Sequence, residues 1–198
     1  MSAEVWLKAR PRERILEMAR VLFHRNGIRA VGVEAIAEAA GTNKMTLYRH
    51  FGSKDDLVAE CLRKVACDGD KLWHDLEARY PDDKRAQLQG WVDEAAACVS
   101  ADNRGCDLAN AAVELTELDH PARQVVEDFK KEHRARLAAL CRAAGIKESE
   151  RLADALYLLV EGARVCRQSV RQDGPSDRFS ELARTMIAAF SATAPKAD

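Results

Sequence analysis

Residues 31–54 read VGVEAIAEAAGTNKMTLYRHFGSK, and the fold of the chain turns on them. Val33 to Ala40 has the spacing of a short helix, Gly41-Thr42 the composition of a tight turn, and Asn43 to His50 the spacing of a second short helix. Two short helices joined through a small Gly-containing turn form a helix-turn-helix, whose second helix enters the DNA major groove. Ile36, Ala37 and Ala40 share one face of the first helix, and their small size lets helices approach closely. Gly41 supplies the positive φ that ends this helix, and Asn43 is placed to N-cap the next. On that second helix Leu47 and Phe51, four apart, face inward. Lys44, Thr46, Tyr48, Arg49 and His50 are left to face outward, and these are the cations and hydroxyls that reach phosphates and base edges. An ordinary surface hairpin would carry a mixed polar face, whereas no carboxylate lies between Thr42 and Lys54 here.

Charge is distributed to match. The 198-residue chain has a net charge of −1. Residues 1–54 nevertheless hold ten Lys/Arg against five Asp/Glu, while residues 55–198 hold 21 against 27. A basic N-terminal third on an acidic remainder suits a DNA-binding head on a body that does not touch DNA. The head continues upstream. Ile15, Met18, Ala19, Leu22 and Phe23 form an amphipathic stripe between Pro11 and Asn26-Gly27. Lys8, Arg10, Arg12 and Arg14 make a basic lead-in, either solvated or in contact with phosphate.

The run Ile36-Ala37-Glu38-Ala39-Ala40-Gly41, then Thr46-Leu47-Tyr48-Arg49-His50-Phe51, then Lys54-Asp55-Asp56-Leu57, resembles the TetR family of bacterial transcriptional regulators. A signature of this length is far more specific than a lone Gly turn. The resemblance implies an all-α protein of about nine helices. Residues 1–54 would be a three-helix DNA-binding head, and residues 55–198 a helical effector-binding and dimerisation body. It implies a homodimer that grips a palindromic operator in double-stranded DNA as a repressor and is released by a small-molecule effector. The expected DNA-binding residues are Thr42, Asn43, Lys44, Thr46, Tyr48, Arg49, His50 and Lys54. Lys44 and Thr46 occupy the first turn of the recognition helix, the position from which base edges are read. The resemblance gives phosphates to Tyr48, His50 and Lys54, with Arg49 open to either role. Gly32 stands where the family usually offers a Ser or Thr N-cap, so that hydroxyl is absent.

Downstream, Ser53 with Asp56 three residues on opens a helix reaching about Glu77. Pro81-Asp82-Asp83 breaks the chain, and Lys84 to Ser100 reads as helix. Asp102 to Gly105 is a loop, Cys106 to about Glu117 a short helix, and His120-Pro121 starts a long one reaching Ala143. Glu148 to about Gln172 and Ser176 to Ser191 complete the set, with the last residues frayed. The final two helices carry Leu156, Leu159, Val160, Ala163, Phe179, Leu182, Met186 and Phe190. These residues either close the protomer's own core or pair with their twins in a four-helix bundle, and the resemblance favours the bundle.

The resemblance also implies an effector pocket among the middle helices. Trp73, Trp91, Cys106, Asn110, Phe129 and His133 are its candidate lining, although Trp and lone His at helical spacing also serve as plain core. Cys106 follows Arg104-Gly105 and opens a helix, a setting that stabilises a thiolate. Modification of Cys106 by an electrophile or oxidant is the alternative trigger for operator release. The six cysteines show no C-x-x-C spacing, which leaves no zinc motif, and no catalytic signature or cofactor loop is present. The sequence therefore points away from an enzyme. No apolar run approaches a membrane span or a signal peptide, so the expected location is the cytoplasm.

Overall fold

The structure, a computed structural model, describes residues 9–101, 103–170 and 173–192. Lys8 of the basic lead-in, Asp102 of the loop, the helix end at Gln172 and the frayed terminus beyond residue 192 lie outside the described residues. Nine α-helices and one 3-10 turn follow in order, with no strand among the described residues. They are α1 (Pro11–Asn26), α2 (Val33–Ala39), α3 (Lys44–Phe51), α4 (Lys54–Arg79), α5 (Lys84–Ala101), α6 (Asp107–Glu114), α7 (Pro121–Ala143) and α8 (Ser149–Val170). After the 3-10 turn Pro175–Arg178 comes α9 (Phe179–Ala192). The protein is all-α.

Local chemistry places the boundaries. Pro11 occupies the start of α1, where its missing N–H has no intrahelical partner to lose. Asn43 accepts a hydrogen bond from the Thr46 amide at 2.9 Å, capping α3. The Ser53 hydroxyl accepts from the Asp56 amide at 3.0 Å and donates to the Asp56 carboxylate at 2.6 Å, starting α4. The short α6 ends at Glu114 rather than near Glu117, and Leu115 turns out of the helix with extended backbone.

The chain packs as two compact units, Met1–Cys67 with Cys106–Asp128, and Asp68–Gly105 with Phe129–Asp198. In the first, Ile15, Ala19 and Phe23 of α1 are buried with Ile36, Ala37 and Ala40 and with Leu47 and Phe51 of α3. Leu57, Val58, Cys61 and Leu62 of α4 join them, as do Leu108 and Ala111 of α6. Each large side chain here contributes about 1.5–3 kcal/mol of burial free energy. The second unit is built around Leu88, Trp91 and Val92 of α5, Leu137 and Cys141 of α7, Leu152, Leu156 and Val160 of α8, and Phe179, Ala183 and Ile187 of α9.

This grouping adds α6 and the start of α7 to the helix-turn-helix. Glu114 is the reason. One of its carboxylate oxygens accepts hydrogen bonds from the Ile28 amide at 2.7 Å and the Arg29 amide at 3.2 Å. Gly27 must be glycine for this approach. Its φ is +85°, and a Cβ would lie 3.1 Å from both Glu114 oxygens. The Arg29 guanidinium reaches Thr116 at 2.8 Å and Glu117 at 3.0 Å, and His24 Nδ1 lies 2.5 Å from Asp107 Oδ1.

Candidate nucleic-acid interface

The turn between α2 and α3 is built by Gly41 and Arg14. Gly41 has φ +62°, a left-handed conformation that costs a non-glycine residue roughly 1–2 kcal/mol. Arg14 donates to the Ala40 carbonyl at 3.0 Å and to the Ala9 carbonyl at 3.0 Å. The guanidinium thus satisfies one carbonyl at the end of α2 and one just before α1, work that a basic run alone does not announce. Arg12 is also engaged, with its guanidinium 2.7 Å from Glu60 and 4.9 Å from the centre of the Phe51 ring.

With Leu47 and Phe51 buried, α3 leaves Asn43, Lys44 and Arg49 exposed and Thr42, Thr46, Tyr48 and His50 half-buried. There is no acidic residue in its first turn, and Arg49 and His50 sit in its last. The capped N-terminus carries the positive end of the helix dipole. One partner enters that the local reading missed. Lys44 Nζ donates to the Glu34 carboxylate at 2.6 Å, from the start of α3 to the start of α2. This bond holds the Glu34 carboxyl below its usual range and the Lys44 ammonium above its own. Lys44 also lies 5.8 Å from the centre of the Tyr48 ring. Met45, an apolar residue, is 77% exposed on the same helix. Lys54 is half-buried, and its ammonium donates to the Ile28 carbonyl at 2.8 Å, which ties it to the loop after α1.

The six candidate pocket residues divide. Cys106 and Asn110 belong to the first unit, the other four to the second. Cys106 is half-buried at the N-cap of α6. Asn110 borders a cavity of about 20 Å³ with His24, Asp107 and Glu114, room for about one water. In the second unit Trp73, Phe129 and His133 come together. The His133 ring stacks on Phe129 at 5.4 Å and lies 5.0 Å from Trp73. Burial, reinforced by the charges of Arg164 and Lys130, lowers the His133 pKa to about 4, so this imidazole is neutral at pH 7. Its Nδ1 and the Trp73 Nε1 are buried without a hydrogen-bond partner among the described residues. Trp91 is 1% exposed and belongs to the core. A groove of about 430 Å³ opens beside Trp73, with Leu76, Leu140, Lys84 and Arg136 on its walls. Burial pushes the Cys61 and Cys141 thiols up to about 12, which makes them unreactive.

The eight residues expected at a dimer interface also divide. Leu156, Val160, Ala163 and Phe179 are closed into the second unit's own core. Leu159, Met186 and Phe190 are half-buried against it, and Leu182 stays 43% exposed. The outer face of α8 carries apolar residues absent from the expected set, Leu158 at 70% and Val165 at 59% exposure. Spacing of seven puts them on one stripe, with Gly162 between them in open space.

A capped, carboxylate-free recognition helix behind a glycine turn, in an all-α chain, defines a helix-turn-helix protein. Residues 15–61 match the family model described as bacterial regulatory proteins, tetR family. It is 38% identical over 85 residues to the HTH-type transcriptional repressor KstR2 of Rhodococcus jostii. That match spans 43% of this chain and 41% of the repressor, so the chain covers about two fifths of this relative's length. The fold is shared over nearly the whole chain. The crystal structure of SCO4454, a TetR-family transcriptional regulator from Streptomyces coelicolor, aligns with TM-score 0.80 at 23% identity, covering 91% of this chain and 93% of its own. A putative tetR-transcriptional regulator from Streptomyces avermitilis aligns with TM-score 0.76 at 28% identity, covering 92% and 99%. These relatives are regulators and not enzymes. No helix of the described residues is long and apolar enough to cross a membrane.

Proposed function

We propose that this chain is a homodimeric, sequence-specific transcriptional regulator of the cytoplasm that represses from a palindromic operator and is released by a small-molecule effector. Residues 1–54 read the DNA, and residues 55–198 bind the effector and dimerise. The observation that carries this is the outer face of α3, with its Asn43-capped N-terminus and a Lys, Arg, His, Thr and Tyr surface without a carboxylate of its own. Lys44 and Thr46 face base edges, while Tyr48 and His50, with Thr42 and Asn43 at the helix start, hold phosphates. Arg49 serves either. Lys54 contributes least, because its ammonium is already bonded to Ile28. The effector sits against Trp73, Phe129 and His133, whose unpartnered nitrogens offer hydrogen bonds to a polar group on an otherwise aromatic ligand. Effector binding shifts the population toward a state that fits the operator less well.

Gel shifts over a salt series with the chain's own upstream DNA test the reading. Affinity should fall steeply with salt, in proportion to the phosphates neutralised. Tyr48→Ala should weaken every duplex alike, and Thr46→Ala should change the preferred one. A monomeric protein with no preference for its own promoter over random DNA would overturn the proposal.

A second reading keeps the DNA-binding protein and moves the trigger to Cys106. Its favouring observation is that Cys106 is not closed into a core, as Cys61 and Cys141 are. Release by electrophiles that persists unchanged in Cys106→Ser removes this reading.

A further inference from the structure

Glu34 is a carboxylate standing beside a DNA-facing surface that is otherwise cationic. It is 69% exposed and Lys44 is 49% exposed, so neither is held there by burial. An exposed ion pair contributes little to stability, with a median of about 0–1 kcal/mol, and a carboxylate near phosphates is repelled. As the acid in the first turn of α2 Glu34 also meets the helix dipole, but that does not call for its bond to Lys44 across the turn. One use on DNA does suit a carboxylate, which is accepting a hydrogen bond from cytosine N4 in the major groove.

The pair has the right stoichiometry for a whole base pair. An ammonium has three donors, and Glu34 occupies one of Lys44's, leaving two for a second acceptor. A carboxylate has about four acceptor positions, and Lys44 occupies one. Guanine offers acceptors at O6 and N7, and its paired cytosine offers the N4 donor beside them. Donors and an acceptor held 2.6 Å apart on the starts of α2 and α3 are complementary to that edge. We infer that Glu34 and Lys44 act as one reading unit for a single G·C base pair in each half-site, with Lys44 on guanine and Glu34 on cytosine. The inference rests on the DNA-binding reading above and adds Glu34 as a specificity-determining residue on the helix before the recognition helix. Glu34 also keeps Lys44 off the phosphates, so the pair trades general affinity for discrimination.

The test starts with selection of a preferred duplex from a random pool by the full-length wild-type protein. Gel shifts on that duplex and on its single base-pair variants follow, for wild type, Glu34→Ala, Glu34→Gln and Lys44→Met. Circular dichroism of each variant keeps a lost fold from being read as a lost preference. In Glu34→Ala the preference for G·C at one position per half-site should fall by roughly tenfold. Random duplex should bind more tightly, with a salt slope steeper by about one as Lys44 turns to phosphate. Lys44→Met should flatten the same position, and Glu34→Gln should move it toward A·T, because a carboxamide matches adenine N6 and N7. The pair assignment is overturned if both Glu34→Ala and Lys44→Met leave every position's preference intact, or if they flatten different positions. A wild-type protein that selects no duplex at all is a separate result, because it removes the DNA-binding reading and this inference together.

Discussion

The short pair α2–α3 and the longer terminal pair α8–α9 are both amphipathic, yet they hide their apolar residues for different reasons. In α2–α3 every apolar position that the pattern sends inward is buried, and what faces out is polar apart from two alanines, Ala35 and Ala39, and one large apolar side chain, Met45. In α8–α9 the apolar residues exceed what one core can enclose. Leu156 is fully buried while Leu158, two positions on, is 70% exposed. The lesson is that a polar outer face marks a surface meant for water or nucleic acid, and an apolar one marks a surface waiting for protein. Substitutions on each surface can break that contrast.

The largest effect should come from Leu156 and Leu158 taken together. Leu156→Ala leaves a cavity in the second unit and should cost about 2–5 kcal/mol, seen as a lower midpoint in denaturant. Leu158→Glu should leave the protomer's helicity intact and shift the species in sedimentation from dimer toward monomer. If Leu158→Glu stays dimeric, the exposed stripe of α8 is not the interface.

The next effect is pH-dependent. The His133 pKa is lowered from its ordinary 6.5 to about 4 in the folded protein, so between those values the unfolded chain binds the proton that the native protein refuses. The stability associated with the neutral ring is complete above pH 6.5 and is lost as pH falls toward 4, about 3 kcal/mol in all. The melting temperature of wild type should fall progressively below that of His133→Phe as pH drops through this range, so that the two curves separate toward acid pH. Parallel curves would show that the ring is hydrated in the native state.

The smallest effect belongs to the head. Asn43→Ala removes the bond to the Thr46 amide and should cost about 1 kcal/mol, with DNA affinity falling more than the melting temperature suggests. Equal losses in both would make Asn43 a cap and nothing more.

The sequence made visible what is local. Pro11, Gly41, Asn43 and Ser53 each act on backbone within a few residues, and each helix boundary near them sits where its chemistry requires. The inward stripe of α1 and the burial of Leu47 and Phe51 follow from helical spacing alone. What stayed hidden depends on partners far along the chain. Nothing in the basic run containing Arg12 and Arg14 announces that one arginine binds Glu60 and the other the carbonyl of Ala40. The Lys54 ammonium bonded to Ile28 and the Lys44 ammonium bonded to Glu34 are equally silent in a periodicity. Leu156 and Leu158 differ only in which side of α8 meets the core, and a helix with apolar residues on both sides does not declare which is which.

The Glu114 carboxylate that receives the Ile28 and Arg29 amides has a practical corollary. A chimera made by transplanting residues 1–54 onto a foreign body would strand two backbone donors and expose the cleft they share with Glu114, whatever the quality of the splice. Engineers who wish to re-target this reader should carry 55–67 and, as discontinuous cargo, 106–128 along with it.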